Sequence, residues 1–120
     1  MTPNAILTAI TAALEDGKVQ DLTVLDVHDK TSIADFMVIG SGTSRRHLQS
    51  LVDRVDEQLS ALGLEPLGRE GDPSSDWVLI DYADVLVHVM LPEARLYYDL
   101  EQLWSASITP DQSAEQPPSA

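Results

Sequence analysis

Three groups of residues have the types and spacing for chemistry. Gly40-Ser41-Gly42-Thr43-Ser44 is a glycine-rich run between an apolar stretch and a helical pattern. Backbone N–H groups in such a turn can cradle a phosphate at a helix start. The run lacks the Walker lysine and the full dinucleotide spacing, so a tight turn followed by an N-cap is the plainer reading. Arg45 and Arg46 follow it as the chain's only adjacent cations, placed to meet an anion or to form a solvated first turn. Asp26, Asp35, Asp81 and Asp84 fall at predicted strand ends, where paired carboxylates can hold magnesium for phosphoryl transfer. No Asp-x-Asp pair stands near the glycine turn, and with 20 Asp and Glu in the chain ordinary turn chemistry accounts for them.

The histidines His28, His47 and His88 show no metal-ligand spacing. His88 lies between Leu86 and Met90 on one side of an apolar run and reads as a hydrogen-bonded structural histidine. No serine has an arguable base partner, and there is no cysteine to act as nucleophile, zinc thiolate or disulfide. The residues make no case for catalysis, and no cofactor or metal is expected.

The elements that would position these residues must fit in 120 residues, enough for one domain. Twenty acidic side chains against seven Lys and Arg give a formal charge of −13. Such a surface repels nucleic-acid phosphate and anionic membranes, and a basic protein is its electrostatic complement. No run approaches the ~20 apolar residues of a membrane span. The opening Met1-Thr2-Pro3-Asn4 lacks a signal peptide's basic and apolar regions, so a cytoplasmic location is expected.

Thr2 and Pro3 open a helix whose apolar positions are Ile6, Leu7, Ile10, Ala13 and Leu14, with Gly17 as its stop. Leu22 to Val27 and Phe36 to Gly40 read as antiparallel strands joined by a short linker. Ser44 caps a second helix carrying Leu48, Leu51, Val52, Val55, Leu59 and Leu62, ended by Gly63. Strand-helix-strand logic makes Glu65 to Arg69 the parallel neighbour of the preceding strand, at an edge because of Pro66. Trp77 to Ile80 and Val85 to Leu91 form a hairpin around Asp81-Tyr82-Ala83-Asp84. Pro92 and Glu93 open a last helix with Leu96, Tyr97, Leu100, Leu103 and Trp104 on its apolar side. From Ser105 on periodicity is lost, and residues 106–120 are expected to be a disordered acidic tail. The predicted fold is a single-domain α/β mixed sheet of about five strands in the order α-β-β-α-β-β-β-α.

With Trp77 and Leu79 on one side of their strand, the sheet carries apolar groups on both faces and only three helices to cover them. A patch left open and rimmed by Asp76, Asp81, Asp84 and Glu93 is a protein-docking surface; the alternative places Trp77 and Trp104 in the core.

Several separated blocks share a likeness: Asp35 to His47, Glu70-Gly71, Asp76 to Tyr82, Asp84 to Met90, and Arg95 to Trp104. In that order they resemble the ribosomal silencing factor family, also called Iojap, over about residues 4 to 105. The resemblance implies a nucleotidyltransferase-like fold without a working transferase site. It also implies that the chain binds the large ribosomal subunit through a basic large-subunit protein, L fourteen, at the subunit-joining face. Blocking the small subunit there would repress translation when nutrients are scarce, with little direct nucleic-acid binding. The family's docking surface maps by position onto Asp76, Trp77, Leu79, Tyr82, Asp84, Met90, Arg95, Tyr98 and Glu101, and the free protein is expected to be a homodimer. The rival readings are a nucleotide-binding enzyme using Gly40 to Ser44, and a dimeric adaptor with another basic partner.

Overall fold

The structure is a computed structural model, and it describes residues 2–71 and 74–98. The elements run α1 (Pro3–Asp16), β1 (Gln20–Asp26), β2 (Phe36–Ser41), α2 (Arg45–Ala61), β3 (Gly68–Glu70), β4 (Trp77–Asp81), β5 (Val85–Met90) and α3 (Pro92–Tyr98). This is the predicted order. The Thr2 hydroxyl accepts from the Ala5 N–H and Pro3 starts α1 without wasting a donor. The Ser44 hydroxyl caps α2 in the same way, by accepting from the His47 N–H at 3.1 Å. Leu62 closes α2, and Gly63 follows with φ +81°, a backbone conformation suited to glycine.

The five strands form one mixed sheet in the order β1-β2-β5-β4-β3. β1 pairs antiparallel with β2, β2 parallel with β5, β5 antiparallel with β4, and β4 antiparallel with β3. The expected pairing of β3 with β2 is therefore corrected. β3 lies parallel to β2 in direction but sits at the far edge, two strands away. Its three residues are all exposed and bury nothing, whereas β5 is apolar on both faces and takes the centre.

The two sheet faces are unequally covered. Val38, Val78, Ile80, Val85, Val87 and Val89 meet Ile6, Ile10 and Leu14 of α1 and Leu48, Leu51, Val52, Val55 and Leu59 of α2. These helical residues are at most 5% exposed, so this layer is the main core. The opposite face holds a smaller cluster of Val27, Met37, Ile39 and Met90, with Ala94 of α3 against it. Among the described residues α3 is the only helix packed there.

α3 departs from the predicted orientation. Leu96 is 83% and Tyr97 81% exposed, while Ala94 and Arg95 are buried. The reason is a polar anchor: the Arg95 guanidinium donates to the Ser41 hydroxyl at 3.0 Å and to the Thr23 hydroxyl at 2.8 Å. Leu62, expected in the α2 stripe, is half exposed at the helix end. Leu100, Leu103, Trp104 and the expected tail over 106–120 lie outside the described residues.

Candidate docking face

Register places the second face residue by residue. Trp77 lies opposite Met90, Leu79 opposite His88, and Asp81 opposite Leu86 on β4 and β5. Across β5, Leu86, His88 and Met90 lie opposite Met37, Ile39 and Ser41 of β2. Arg95 holds α3 over Ser41 and Thr23, toward the β1–β2 side, so the β4 side of the sheet is less covered. Trp77, Leu79 and Leu86 are accordingly half-buried, an apolar surface with acidic neighbours: Asp76 beside Trp77, Asp81 on the same face, and Glu70 at the β3 edge opposite Leu79. An apolar patch with a charged rim is the composition of a protein interface.

Within the patch the Trp77 indole Nε1–H donates to His88 Nδ1 at 3.0 Å, the rings 5.8 Å apart and tilted by 40°. An accepting Nδ1 requires a neutral imidazole with its proton on Nε2. Burial alone pushes the His88 pKa down to about 4, which keeps that form at neutral pH. The pairing was not legible in the sequence beyond the placement of His88 on this face.

The positions mapped from the resemblance divide. Asp76, Trp77, Leu79 and Met90 come together at the start of β4 and the end of β5, with Met90 fully buried beneath the surface. Arg95 is close to them but is buried and engaged with Ser41 and Thr23. Tyr82 lies in the opposite layer, in the main core, with its hydroxyl 3.4 Å from an Asp56 carboxylate oxygen; burial first and Asp56 second push its phenol pKa up. Asp84 sits at the β4–β5 turn, the other end of the strands from Trp77, where its carbonyl accepts from the Asp35 and Phe36 N–H groups. Tyr98 ends α3, and its side chain and Glu101 are outside the described residues.

The glycine-rich turn is filled by the protein itself. The Gly42 N–H donates to the Met90 carbonyl at 3.0 Å and the Thr43 N–H to His47 Nδ1 at 2.9 Å. His47 Nε2–H in turn donates to the Gly17 carbonyl at 2.8 Å, tying the turn to the end of α1. A Cβ at Gly40 would lie 2.5 Å from Val19 Cγ2, and one at Gly42 would lie 2.8 Å from the Leu48 backbone nitrogen. The glycines serve close packing. Arg45 donates to the Ser74 carbonyl at 2.9 Å and holds the loop before β4.

The strand-end aspartates do not assemble a metal centre: among the described residues no three His, Asp or Glu side chains converge to hold an ion. Asp26 and His28 form an exposed pair at 2.5 Å, with Asp29 3.0 Å from the other ring nitrogen. The hydrogen bond to Asp26 pushes the His28 pKa up, and the same bond pulls that of Asp26 down. A shallow acidic groove between α2 and β3, lined by Asp53, Asp56, Glu57 and Glu65, includes the Arg69–Asp56 ion pair. No helix among the described residues is long and apolar enough to cross a membrane.

Comparison with known proteins gives the family and the fold. Residues 1–120 match the family model described as ribosomal silencing factor during starvation. A ribosomal silencing factor of Chromobacterium violaceum is 45% identical over 92 residues, covering 77% of this chain and 75% of that protein. One from Zymomonas mobilis is 33% identical over 114 residues, covering 95% and 86%. A mouse protein named for mitochondrial assembly of the ribosomal large subunit is 34% identical over 109 residues, covering 88% of this chain and 48% of its own length. The crystal structure of a Chromobacterium violaceum protein superposes with a TM-score of 0.85 at 39% identity, covering 91% of each chain. A Bacillus halodurans structure does so with 0.77 at 32%, covering 84% of this chain and 94% of that one. The family is ribosome-associated and regulatory in character. By whole-length match, by relatives and by fold, this chain belongs to the ribosomal silencing factor (RsfS) family, whose relatives include Iojap-related proteins.

Proposed function

We propose that this protein docks on the large ribosomal subunit through a basic ribosomal protein, L fourteen, at the subunit-joining face, and so keeps the small subunit from joining. Translation falls as a result, above all in starvation, the condition in the family's description. The observation that carries this reading is the half-open sheet face with Trp77, Leu79 and Leu86 at its surface and Glu70, Asp76 and Asp81 around it. A steric block needs a shaped surface and no reacting group. The charge of −13 favours a basic protein over ribosomal RNA, and acidic rim residues speed the encounter while apolar anchors hold the complex.

In this reading Asp76, Trp77 and Leu79 touch the partner, and Tyr98 and Glu101 are further contacts carried over from the family resemblance. Met90 and Arg95 shape it from below, while Tyr82 and Asp84 act only through the β4–β5 turn that they help to form. The domain ends near residue 105, the protein works in the cytoplasm, and the free chain pairs with a second copy. The test is a subunit-joining assay with purified subunits. Light scattering should show joining inhibited by the wild-type protein in proportion to its occupancy of large subunits. Full-rate joining with large subunits saturated by the protein contradicts the proposal.

A further inference from the structure

Trp77 and His88 are diagonal neighbours on β4 and β5, and their hydrogen bond fixes the indole that the docking face presents. The imidazole is only 5% exposed, yet its Nε2 has no hydrogen-bond partner among the described residues. An unpartnered buried donor costs folding free energy. Position 88 lies opposite Ile39 and Leu79 and between Leu86 and Met90, where an apolar side chain would carry no such cost. Histidine supplies one thing that leucine cannot, an acceptor aimed at the indole N–H. A half-buried tryptophan free to change rotamer must be ordered when a partner arrives, and one already held loses less entropy on binding.

We propose that His88 is a positioning residue of the docking face: through the Trp77 Nε1–H it holds the indole in the orientation that engages the partner, at the expense of its own unpartnered Nε2. This rests on the docking reading above, and two readouts separate the pair of claims. The variants are His88→Leu, which removes the acceptor, and His88→Asn, whose carbonyl oxygen can stand near the place of Nδ1. The indole N–H signal of Trp77, identified by its loss in Trp77→Phe, reports the bond by nuclear magnetic resonance without any partner. Affinity for purified large subunits reports its consequence.

For His88→Leu the expected result is a melting temperature no lower than wild type. Indole N–H exchange should be faster, and binding about five- to tenfold weaker, the worth of one neutral hydrogen bond. His88→Asn should recover most of both. The proposal is overturned if His88→Leu melts lower, since the histidine then serves the fold. It is equally overturned if the leucine variant keeps its indole protection or wild-type affinity, or if the asparagine variant binds no better than leucine. If wild-type protein itself fails to bind large subunits, the docking reading falls with the binding half of this proposal, and the indole signal still decides whether His88 holds Trp77.

Discussion

The Thr43 N–H donates to His47 Nδ1, 2.9 Å away, four residues further along the chain and inside the first turn of α2. The group that a phosphate would seek at this helix start is already taken, and His47 spends its other nitrogen on the Gly17 carbonyl. A strand-turn-helix with two glycines thus serves as a packing joint between α1, β2 and α2.

Magnesium-ATP or magnesium-CTP at millimolar concentration should leave the melting temperature unchanged, because a ligand selective for the native state would raise it. In contrast, Gly42→Ala should cost about 1–3 kcal/mol, since its Cβ meets the backbone of Leu48, which cannot swing away. Gly63→Ala, with open space but φ +81°, should cost about 1 kcal/mol. Urea denaturation of the two variants checks the order. A nucleotide-dependent rise in melting temperature would contradict this account of the turn.

Arg95→Ala should destabilise the protein by about 2–3 kcal/mol, because it removes charged hydrogen bonds to Ser41 and Thr23 and leaves the buried Ser41 hydroxyl without that donor. Faster hydrogen exchange at the α3 amides should accompany the loss. If α3 stays as protected as in wild type, its anchor lies elsewhere.

His88 makes stability fall on acidification. Its folded pKa of about 4 lies below the ordinary 6.5, so as pH drops the unfolded chain takes up a proton that the native state refuses. The loss begins below the ordinary value and levels off beneath the folded one. Between pH 7 and pH 5 this should amount to about 2 kcal/mol, measured as the part of the wild-type pH dependence that His88→Leu lacks. His28 acts with the opposite sign: its raised pKa adds stability at low pH that is lost as pH rises. Taking the difference between wild type and the His88 variant cancels that contribution.

Trp77→Ala should weaken binding to the large subunit at least tenfold, as expected for a central aromatic anchor. Because the side chain is only half-buried, the fold should survive with a loss of about 2 kcal/mol, visible as a lowered melting temperature with the same circular dichroism. Wild-type affinity in a folded variant would move the docking surface off this face.

Much of the fold was legible because α1 and α2 each state their period and their caps. Thr2, Pro3, Ser44 and Gly17 sit where the structure uses them, and the Val85–Val87–Val89 row faces the helices as alternation requires. The position of β3 was not legible. Sequence order suggested pairing with β2, but the burial offered by β5 outweighed proximity in the chain. The turn of α3 was hidden for a different reason: Leu96 and Tyr97 imply an inward stripe, while the hydroxyls that hold Arg95 come from strands far away in sequence. On the docking face, strand alternation gave the side on which Trp77, Leu79 and His88 lie. The bond between Trp77 and His88 depends on register across the hairpin and could only be seen once the strands were paired.

Cosedimentation with separated large and small ribosomal subunits at rising salt tests the central claim most directly. The protein should travel with the large subunit alone and stay bound as salt rises, because apolar anchors and a protein partner are less screened than phosphate contacts. Absence from the large subunit at low salt, with the protein folded, would contradict the account, and so would equal binding to both subunits.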